Sequence, residues 1–245
     1  MTSLTHAAVV ISEYQFDSAA DPLVLTSSDT QSSTASSSIF AGAGAVLYRN
    51  QTDIYNPPDQ ITRSGLSQLG VRSDISINSL TAALNNDVYF AFTVNPSGGA
   101  FMSFSEFQGG VRRSATTSTR GWLLRSSLTG TTDLASDAFI SAARSSGLES
   151  MSPDTTGTAL SPGTNTALDT IDLSGFSSLQ NVDVPVTFYV YVNPGNGTSE
   201  FGRAVDFDNI RLYGDVDVIP EPGTLALLLG GIVLIARVRS MTLFR

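Results

Sequence analysis

The feature that most constrains the fold is a strict alternation of side chains over residues 184–192. Valine or phenylalanine occupies every second position, and proline, threonine or tyrosine occupies the positions between them. Because successive side chains of a β-strand point to opposite faces of the sheet, this pattern predicts a strand with one buried face. Residues 88–94 repeat the alternation, with valine and phenylalanine on one face and tyrosine, alanine and threonine on the other. Both segments therefore predict half-buried strands.

Turn-forming residues divide the rest of the chain into further candidate strands. Residues 95–99 form such a turn, so residues 101–107 are predicted to be the hairpin partner of residues 88–94. Weaker patterns predict strands at residues 9–16, 39–47, 72–77, 121–126, 167–173 and 204–213. A short helical turn is predicted at residues 79–84.

The last of these strands contains a change of phase. Val205 and Phe207 alternate correctly, whereas Ile210 and Leu212 fall on the opposite phase. One extra residue in the strand, a β-bulge, would return all four side chains to one buried face. A bulge is therefore predicted at residues 208–209.

These patterns together predict an all-β domain, an antiparallel jelly-roll-like β-sandwich over residues 7–214. The chain contains no cysteine and no lysine, and its one histidine, His6, precedes the first predicted strand. A Ser-His-Asp triad, a Cys-His pair, a Schiff-base lysine and a histidine-ligated metal site are therefore excluded. No cofactor is predicted, and a net charge of -9 argues against nucleic acid as a partner.

Two pairs of carboxylates are candidates for metal binding or hydrolysis. Asp206 and Asp208 could give oxygen ligands to a calcium ion. Carboxylates this close together at a bulge are more often solvated or bonded to backbone amides, so no metal is predicted. Glu106 and Asp172 are the nominees for the carboxylate pair of a glycosidase, although their spacing in the sequence does not support that role. The protein is therefore predicted not to be an enzyme.

Aromatic side chains form the remaining candidate site in the body of the protein. Trp122, Tyr189 and Tyr191, together with Tyr89, could stack on sugar rings because an aromatic face suits the apolar side of a pyranose. The alternative is that these side chains are half-buried packing residues of a sheet. Trp122, Tyr189 and Tyr191 are retained as candidate glycan contacts.

The C-terminal segment has three parts. A Pro-Glu-Pro motif at residues 220–222 precedes an uncharged apolar run at residues 223–236, which Arg237 and Arg239 follow. A run of about 14 residues is shorter than the roughly 20 that cross a bilayer comfortably, and a buried core helix is the alternative. Because a helix that is apolar all round and follows a finished β-domain suits lipid best, a transmembrane helix is predicted. The arginines at its far end place the body outside the cytoplasm.

The order of motif, apolar run and arginines resembles the PEP-CTERM sorting signal of Gram-negative bacteria that make exopolysaccharide. The resemblance implies that Pro220, Glu221 and Pro222 are the sorting motif and that Arg237 and Arg239 retain the segment in the membrane. It also implies two partners, the membrane and the protease-transpeptidase exosortase, which reads the signal and cuts near the motif.

The predicted organisation of the chain follows from these segments. Residues 1–6 lack the basic and apolar regions of a signal peptide, and they are interpreted as a residual leader or a mis-called start. The sandwich is followed by a linker at residues 215–219, the sorting signal with its transmembrane helix at residues 220–239, and a short cytoplasmic tail at residues 240–245. Body segments such as residues 206–214 resemble a recurrent jelly-roll group of the same family.

The resemblance implies a non-catalytic, exported surface or extracellular-matrix protein that associates with exopolysaccharide. Such a protein is anchored in the inner membrane before exosortase processing and then reaches the cell surface or the matrix. The alternative is a carbohydrate-binding module or adhesin with a defined glycan site. A polysaccharide hydrolase is a third and less favoured class.

Overall fold

The computed structural model describes residues 9–14, 35–36, 39–51, 67–96, 99–113, 119–141, 149–151, 169–195 and 204–218. Within these ranges the chain forms two β-sheets, the short helix α1 at Leu80–Asn85 and a 3-10 turn at Ser177–Leu179. Sheet A contains β1 Val9–Tyr14, β4 Val46–Gln51, β5 Ser67–Arg72, β7 Ala100–Arg113, β10 Glu149–Ser150, β11 Thr170–Asp172 and β13 Val205–Val218. Sheet B contains β2 Ala35–Ser36, β3 Phe40–Ala41, β6 Tyr89–Asn95, β8 Gly121–Ser126, β9 Ala135–Asp137 and β12 Val186–Asn193.

Strands that are distant in the sequence are neighbours in both sheets. Sheet A has the order β10-β7-β13-β5-β4, with β1 also paired to β13 and β11 also paired to β7. Sheet B has the order β2-β6-β12-β8-β9, with β3 also paired to β6. The strand pairs of both sheets are antiparallel. The prediction of an all-β, antiparallel, jelly-roll-like fold is confirmed.

The hydrophobic core lies between the two sheets. The buried side chains of β12 are Val186, Phe188, Val190 and Val192, as the alternation of residues 184–192 predicts. Aromatic pairs join the sheets, with ring centroids 4.9 Å apart for Phe90 and Phe207, 4.9 Å for Tyr14 and Phe92, and 5.2 Å for Phe104 and Phe188. Such edge-on and tilted pairs add about 0.5–1.5 kcal/mol each beyond the burial of their surface.

The predicted bulge in β13 is confirmed. The register of β13 against β7 shifts between Asp208 and Arg211, and Asn209 has a positive φ of 50°. The extra residue changes the phase of the strand, so Ile210 and Leu212 return to the core, where both are fully buried.

Two of the predicted strand assignments are wrong. Residues 101–107 are not the hairpin partner of residues 88–94, because β7 lies in sheet A and β6 lies in sheet B. The chain therefore passes from sheet B to sheet A between β6 and β7, and β12 occupies the place beside β6. A strand at residues 72–77 is also wrong, because β5 ends at Arg72 and the chain then turns, with the Ile75 backbone amide donating to Ser73 Oγ at 3.3 Å.

The predicted boundary between sandwich and linker also changes. β13 continues to Val218, and its last part pairs with Ala100 to Ser103 of β7, so residues 215–218 belong to sheet A and not to a linker. Among the residues that the structure describes, no helix has both the length and the apolar character needed to cross a membrane. The sorting signal with its transmembrane helix at residues 220–239 lies outside the described ranges, as do residues 1–6 and 240–245, so these assignments stay predictions.

Candidate functional site

Three tyrosines stand together on the outer face of sheet B. Tyr89 belongs to β6, and Tyr189 and Tyr191 belong to β12, in which their neighbours Phe188, Val190 and Val192 face the core. The alternation of a strand therefore points all three tyrosines away from the core. Each side chain is half-buried, so part of each ring is open to solvent.

The three rings are fixed by contact with one another. Tyr89 and Tyr191 are directly paired across the strands. The Tyr89 ring lies 5.1 Å from the Tyr191 ring at 66° and 5.2 Å from the Tyr189 ring at 89°, so it packs edge-on against both. The Tyr189 and Tyr191 rings are 6.3 Å apart and within 30° of parallel. This packing on a regular sheet restricts the rotamers of all three side chains.

Apolar residues extend this surface on either side of the tyrosines. Ala91 pairs with Tyr189 on one side and with Phe40 of β3 on the other, so all three share the outer face. Ala91 is fully buried while Phe40 is 40% exposed, so a small residue lies between two aromatic ones. Leu123 of β8 pairs with Tyr191 and is also buried. The outer face of sheet B thus carries a continuous apolar strip.

Charged groups lie beside the tyrosines. Asp87 is exposed and precedes Tyr89 by two residues, and Arg125 pairs with Tyr189 and forms a 2.7 Å ion pair from Nε to Asp133 Oδ1. We name Asp87, Tyr89, Arg125, Tyr189 and Tyr191 the tyrosine face.

Burial and nearby charges raise the pKa values of two tyrosines of this face, Tyr89 and Tyr191. Burial, followed by the negative charge of Asp87 and the proximity of Tyr189, raises the pKa of Tyr89. Burial, followed by the influence of Tyr89 and Asp87, raises the pKa of Tyr191 against the opposing charge of Arg125. Both hydroxyls therefore remain protonated at neutral pH and can each donate and accept a hydrogen bond.

Two glycines place Tyr89 and Asp87 against the neighbouring chain segment. The backbone amide of Gly42 donates to the Tyr89 carbonyl at 3.0 Å, and that of Gly44 donates to the Asp87 carbonyl at 3.2 Å. A Cβ atom at Gly42 would lie 2.2 Å from the Asp87 carbonyl oxygen and 2.5 Å from Tyr89 Cε1. Only glycine allows this approach without a shift of the backbone, so the Ala-Gly-Ala-Gly segment at residues 41–44 helps to form the site.

Helix α1 leads into the tyrosine face. Its N-cap is Ser79, whose Oγ accepts a hydrogen bond from the Ala82 amide at 3.1 Å. Its buried residue Ala83 packs with Ile77 and Val88 in a small apolar cluster separate from the main core. The helical turn predicted at residues 79–84 is confirmed.

Trp122 does not belong to this surface. In β8, Trp122 and Leu124 face the core and are fully buried, whereas Arg125 points outward beside Tyr189. The indole therefore cannot stack on a sugar in this structure, and its nomination as a glycan contact is corrected. Tyr189 and Tyr191 do lie together on the outer face, where a glycan contact stays a prediction.

The carboxylates nominated for calcium are engaged by the protein itself. Asp206 is fully buried, and Arg112 Nε lies 3.2 Å from its Oδ2. Asp208 is also buried, and its Oδ1 accepts a hydrogen bond from the Asn209 amide at 2.8 Å. Among the described residues, no three histidine, cysteine or acidic side chains are grouped so that they could hold a metal ion.

The carboxylates nominated for hydrolysis are neighbours on sheet A. Asp172 of β11 pairs directly with Glu106 of β7, so the two residues lie side by side on one sheet. Asp172 Oδ1 accepts hydrogen bonds from Ser174 Oγ at 2.6 Å and from the Ser174 amide at 2.8 Å, and these bonds lower the pKa of Asp172. A carboxyl group with a lowered pKa is unsuited to protonate a leaving sugar.

Sequence reasoning missed part of the tyrosine face. It did not select Asp87 or Arg125, and it gave Gly42 no role. Asp87 could have been found, because only one residue separates it from Tyr89 in the sequence. Arg125 could not, because nothing in the sequence pairs β8 with β12.

No protein-family model and no curated protein matches this sequence. Among solved structures, one similar chain from Clostridium thermocellum comprises the CBM22-1 and GH10 modules of xylanase 10B complexed with xylohexaose, at 8% identity and a TM-score of 0.37. The match covers 83% of this chain but only 28% of the xylanase chain.

Two further similar structures are family 11 carbohydrate-binding modules of the same organism. One is in complex with a β-1,3-1,4-mixed-linked tetrasaccharide, at 13% identity and a TM-score of 0.32, and covers 83% of this chain and 96% of the module. The other is the module of the cellulosomal cellulase Lic26A-Cel5E, at 13% identity and a TM-score of 0.32, and covers 84% of this chain and 97% of the module. Identities and TM-scores this low assign no ligand and no residue role to this chain.

Proposed function

We propose that this protein is a non-catalytic polysaccharide-binding module and that the tyrosine face is its contact surface. The observation that carries the proposal is the packing of Tyr89 against both Tyr189 and Tyr191 on the outer face of a regular sheet. A contiguous group of partly exposed aromatic side chains is the kind of surface patch that marks a binding site more often than single exposed apolar residues do.

The chemistry of the tyrosine face suits a sugar chain. Ring surfaces can cover the apolar C–H face of a pyranose, while the phenol hydroxyls, Asp87 and Arg125 can bond its hydroxyl groups. Because the rings are already held by one another, binding requires little further loss of side-chain entropy. A tyrosine surface of this kind combines apolar contact area with hydrogen bonding at low entropic cost.

Affinity electrophoresis tests the proposal. The full-length protein is run through native gels that contain soluble polysaccharides such as laminarin or dextran, after a glycan array has guided the choice. We expect at least one polysaccharide to retard the wild-type protein in a saturable manner and to leave the triple variant Tyr89→Ala, Tyr189→Ala, Tyr191→Ala unretarded.

The matched control is Tyr213→Ala, which removes a half-buried tyrosine from sheet A instead of sheet B. Far-UV circular dichroism should show that all variants keep their β-structure. Equal retardation of the triple variant and the wild-type protein would contradict the proposal. If no polysaccharide retards the wild-type protein in a saturable manner, the alternative of a matrix component without a defined glycan site is favoured. Release of reducing sugar during the assay would indicate a hydrolase.

The sequence supports a location for this activity. We propose that the segment at residues 220–239 is an exosortase-dependent sorting signal, which delivers the module to the cell surface or extracellular matrix after a stage of anchoring in the inner membrane. Support for this part comes from the Pro-Glu-Pro motif, the apolar run and the arginines alone. A module that binds polysaccharide would associate there with exopolysaccharide.

A further inference from the structure

The positive and negative charges around the tyrosine face do not cancel. Arg125 forms a 2.7 Å ion pair with Asp133, so its positive charge is already balanced by a neighbouring carboxylate. The side chain of Asp87 is exposed, and its negative charge reaches both Tyr89 and Tyr191, whose pKa values it helps to raise. The formal charge of Asp87, Arg125 and Asp133 together is therefore negative.

The position of Asp87 is fixed by the backbone. Its φ of 52° is in the left-handed region, and its carbonyl accepts a hydrogen bond from Gly44 at 3.2 Å. A Cβ atom at Gly42 would lie 2.2 Å from the Asp87 carbonyl oxygen and 2.5 Å from Tyr89 Cε1, so the Asp87 backbone and the Tyr89 ring are close neighbours. The negative charge of the Asp87 carboxylate also acts on both Tyr89 and Tyr191. A ligand in contact with the Tyr89 and Tyr191 rings therefore lies close to this carboxylate.

A carboxylate beside a stacked sugar discriminates by charge. The carboxylate accepts hydrogen bonds from sugar hydroxyls, and these groups are abundant in a neutral polysaccharide. A uronate or sulfate group would instead meet a like charge. Two unit charges about 4 Å apart in water repel each other by an amount that corresponds to about a fivefold change in Kd.

We infer that the tyrosine face selects uncharged polysaccharides over acidic ones and that Asp87 determines this preference, an inference that rests on the proposed function. The occupant is a neutral polysaccharide whose hydroxyl groups face Asp87 and whose apolar face covers the tyrosine rings.

The test compares two polymers and two variants. Retardation of the full-length protein is measured in native gels that contain laminarin, a neutral polymer, or alginate, a polymer of uronic acids. Asp87→Asn removes the charge at the tyrosine face with little change in size. Asp183→Asn makes the same change in net charge at an exposed residue outside the tyrosine face, next to Val182, which pairs with Met102 of sheet A.

We expect laminarin to retard the wild-type protein and alginate to leave it nearly unretarded. Asp87→Asn should bind alginate about fivefold more tightly at low salt, with most of the gain lost at high salt, while Asp183→Asn should behave as the wild-type protein. Wild-type binding to alginate as tight as to laminarin would overturn the inference and leave the proposed function intact. A gain for Asp183→Asn equal to that for Asp87→Asn would also overturn it. If neither laminarin nor alginate retards the wild-type protein, and no neutral polymer of the array does so, the proposed function itself is refuted.

Discussion

Replacing Tyr189 by alanine should weaken polysaccharide binding without unfolding the domain. Tyr189 contacts Tyr89 at 5.2 Å and Tyr191 at 6.3 Å, but it makes no part of the core between the sheets. The substitution removes aromatic pairing worth about 0.5–1.5 kcal/mol per pair. Because a domain is stable by about 5–15 kcal/mol, the variant should remain folded.

The expected loss of affinity follows from the ring surface that Tyr189 offers to a ligand. A sugar that stacks on the open part of the ring removes about 80 Å² of apolar surface from water, counted over the ring and the sugar together, which is worth about 2 kcal/mol at about 25 cal/mol per Å². That free energy corresponds to about a thirtyfold rise in Kd. Tyr189→Phe keeps the ring and loses only the hydroxyl, so its Kd should rise about tenfold or less, as expected for one hydrogen bond.

The assay is affinity electrophoresis over a range of polysaccharide concentrations, with Kd taken from the dependence of mobility on concentration. Urea unfolding of each variant, followed by circular dichroism, separates loss of binding from loss of fold. Tyr213→Ala is again the control, because its hydroxyl bonds Gln108 on sheet A at 3.2 Å. If Tyr189→Ala binds within about twofold of the wild-type protein, or if Tyr213→Ala loses as much affinity, the assignment of the contact surface to sheet B is refuted.

Four further predictions follow from particular residues. The pKa values of Tyr89 and Tyr191 are raised in the folded state. The contribution of these two protonated phenols to the free energy of unfolding is therefore complete below the unfolded tyrosine pKa of about 10, and it is lost as pH rises through the higher folded pKa values. Phenolate absorbance and urea unfolding between neutral and strongly alkaline pH check this. Gly42→Ala should lower the free energy of unfolding by about 1–3 kcal/mol in urea and weaken polysaccharide binding, because the added Cβ collides with the backbone that holds the site. An unchanged free energy of unfolding together with an unchanged Kd would contradict the role of this glycine. Asp206→Ala should cost about 3–5 kcal/mol in the same unfolding assay, because it removes the carboxylate from a buried ion pair with Arg112. A cost below about 1 kcal/mol, typical of an exposed pair, would show that the pair is effectively solvated. Glu221→Ala should leave membrane insertion intact and block processing in a host with exosortase, as fractionation of a tagged protein would show; release equal to wild type would show that the motif is only a linker.

Local patterns predicted the strands better than they predicted the partners of those strands. The alternation at residues 184–192 correctly identified the buried side chains of β12, and the phase change in β13 correctly located the bulge at Asn209. Both features depend on the two-residue period of one strand, which is specified by residues that are close together in the sequence. The hairpin assigned to residues 88–94 and 101–107 failed, because a turn sequence does not specify whether the next strand joins the same sheet or the facing one.

The sequence by itself determined the fold class and the excluded chemistries, and it predicts a C-terminal sorting signal at residues 220–239, which stays a prediction. Only the tertiary structure decided that Trp122 is in the core, that Tyr89 lies beside Tyr191, and that Arg125 reaches the same face. The physical reason is that periodicity is a property of neighbouring residues, whereas a binding surface is formed by strands whose pairing depends on the packing of the whole core. One strand shows which side chains share a face, and the pairing of β6, β8 and β12 decides which residues meet there.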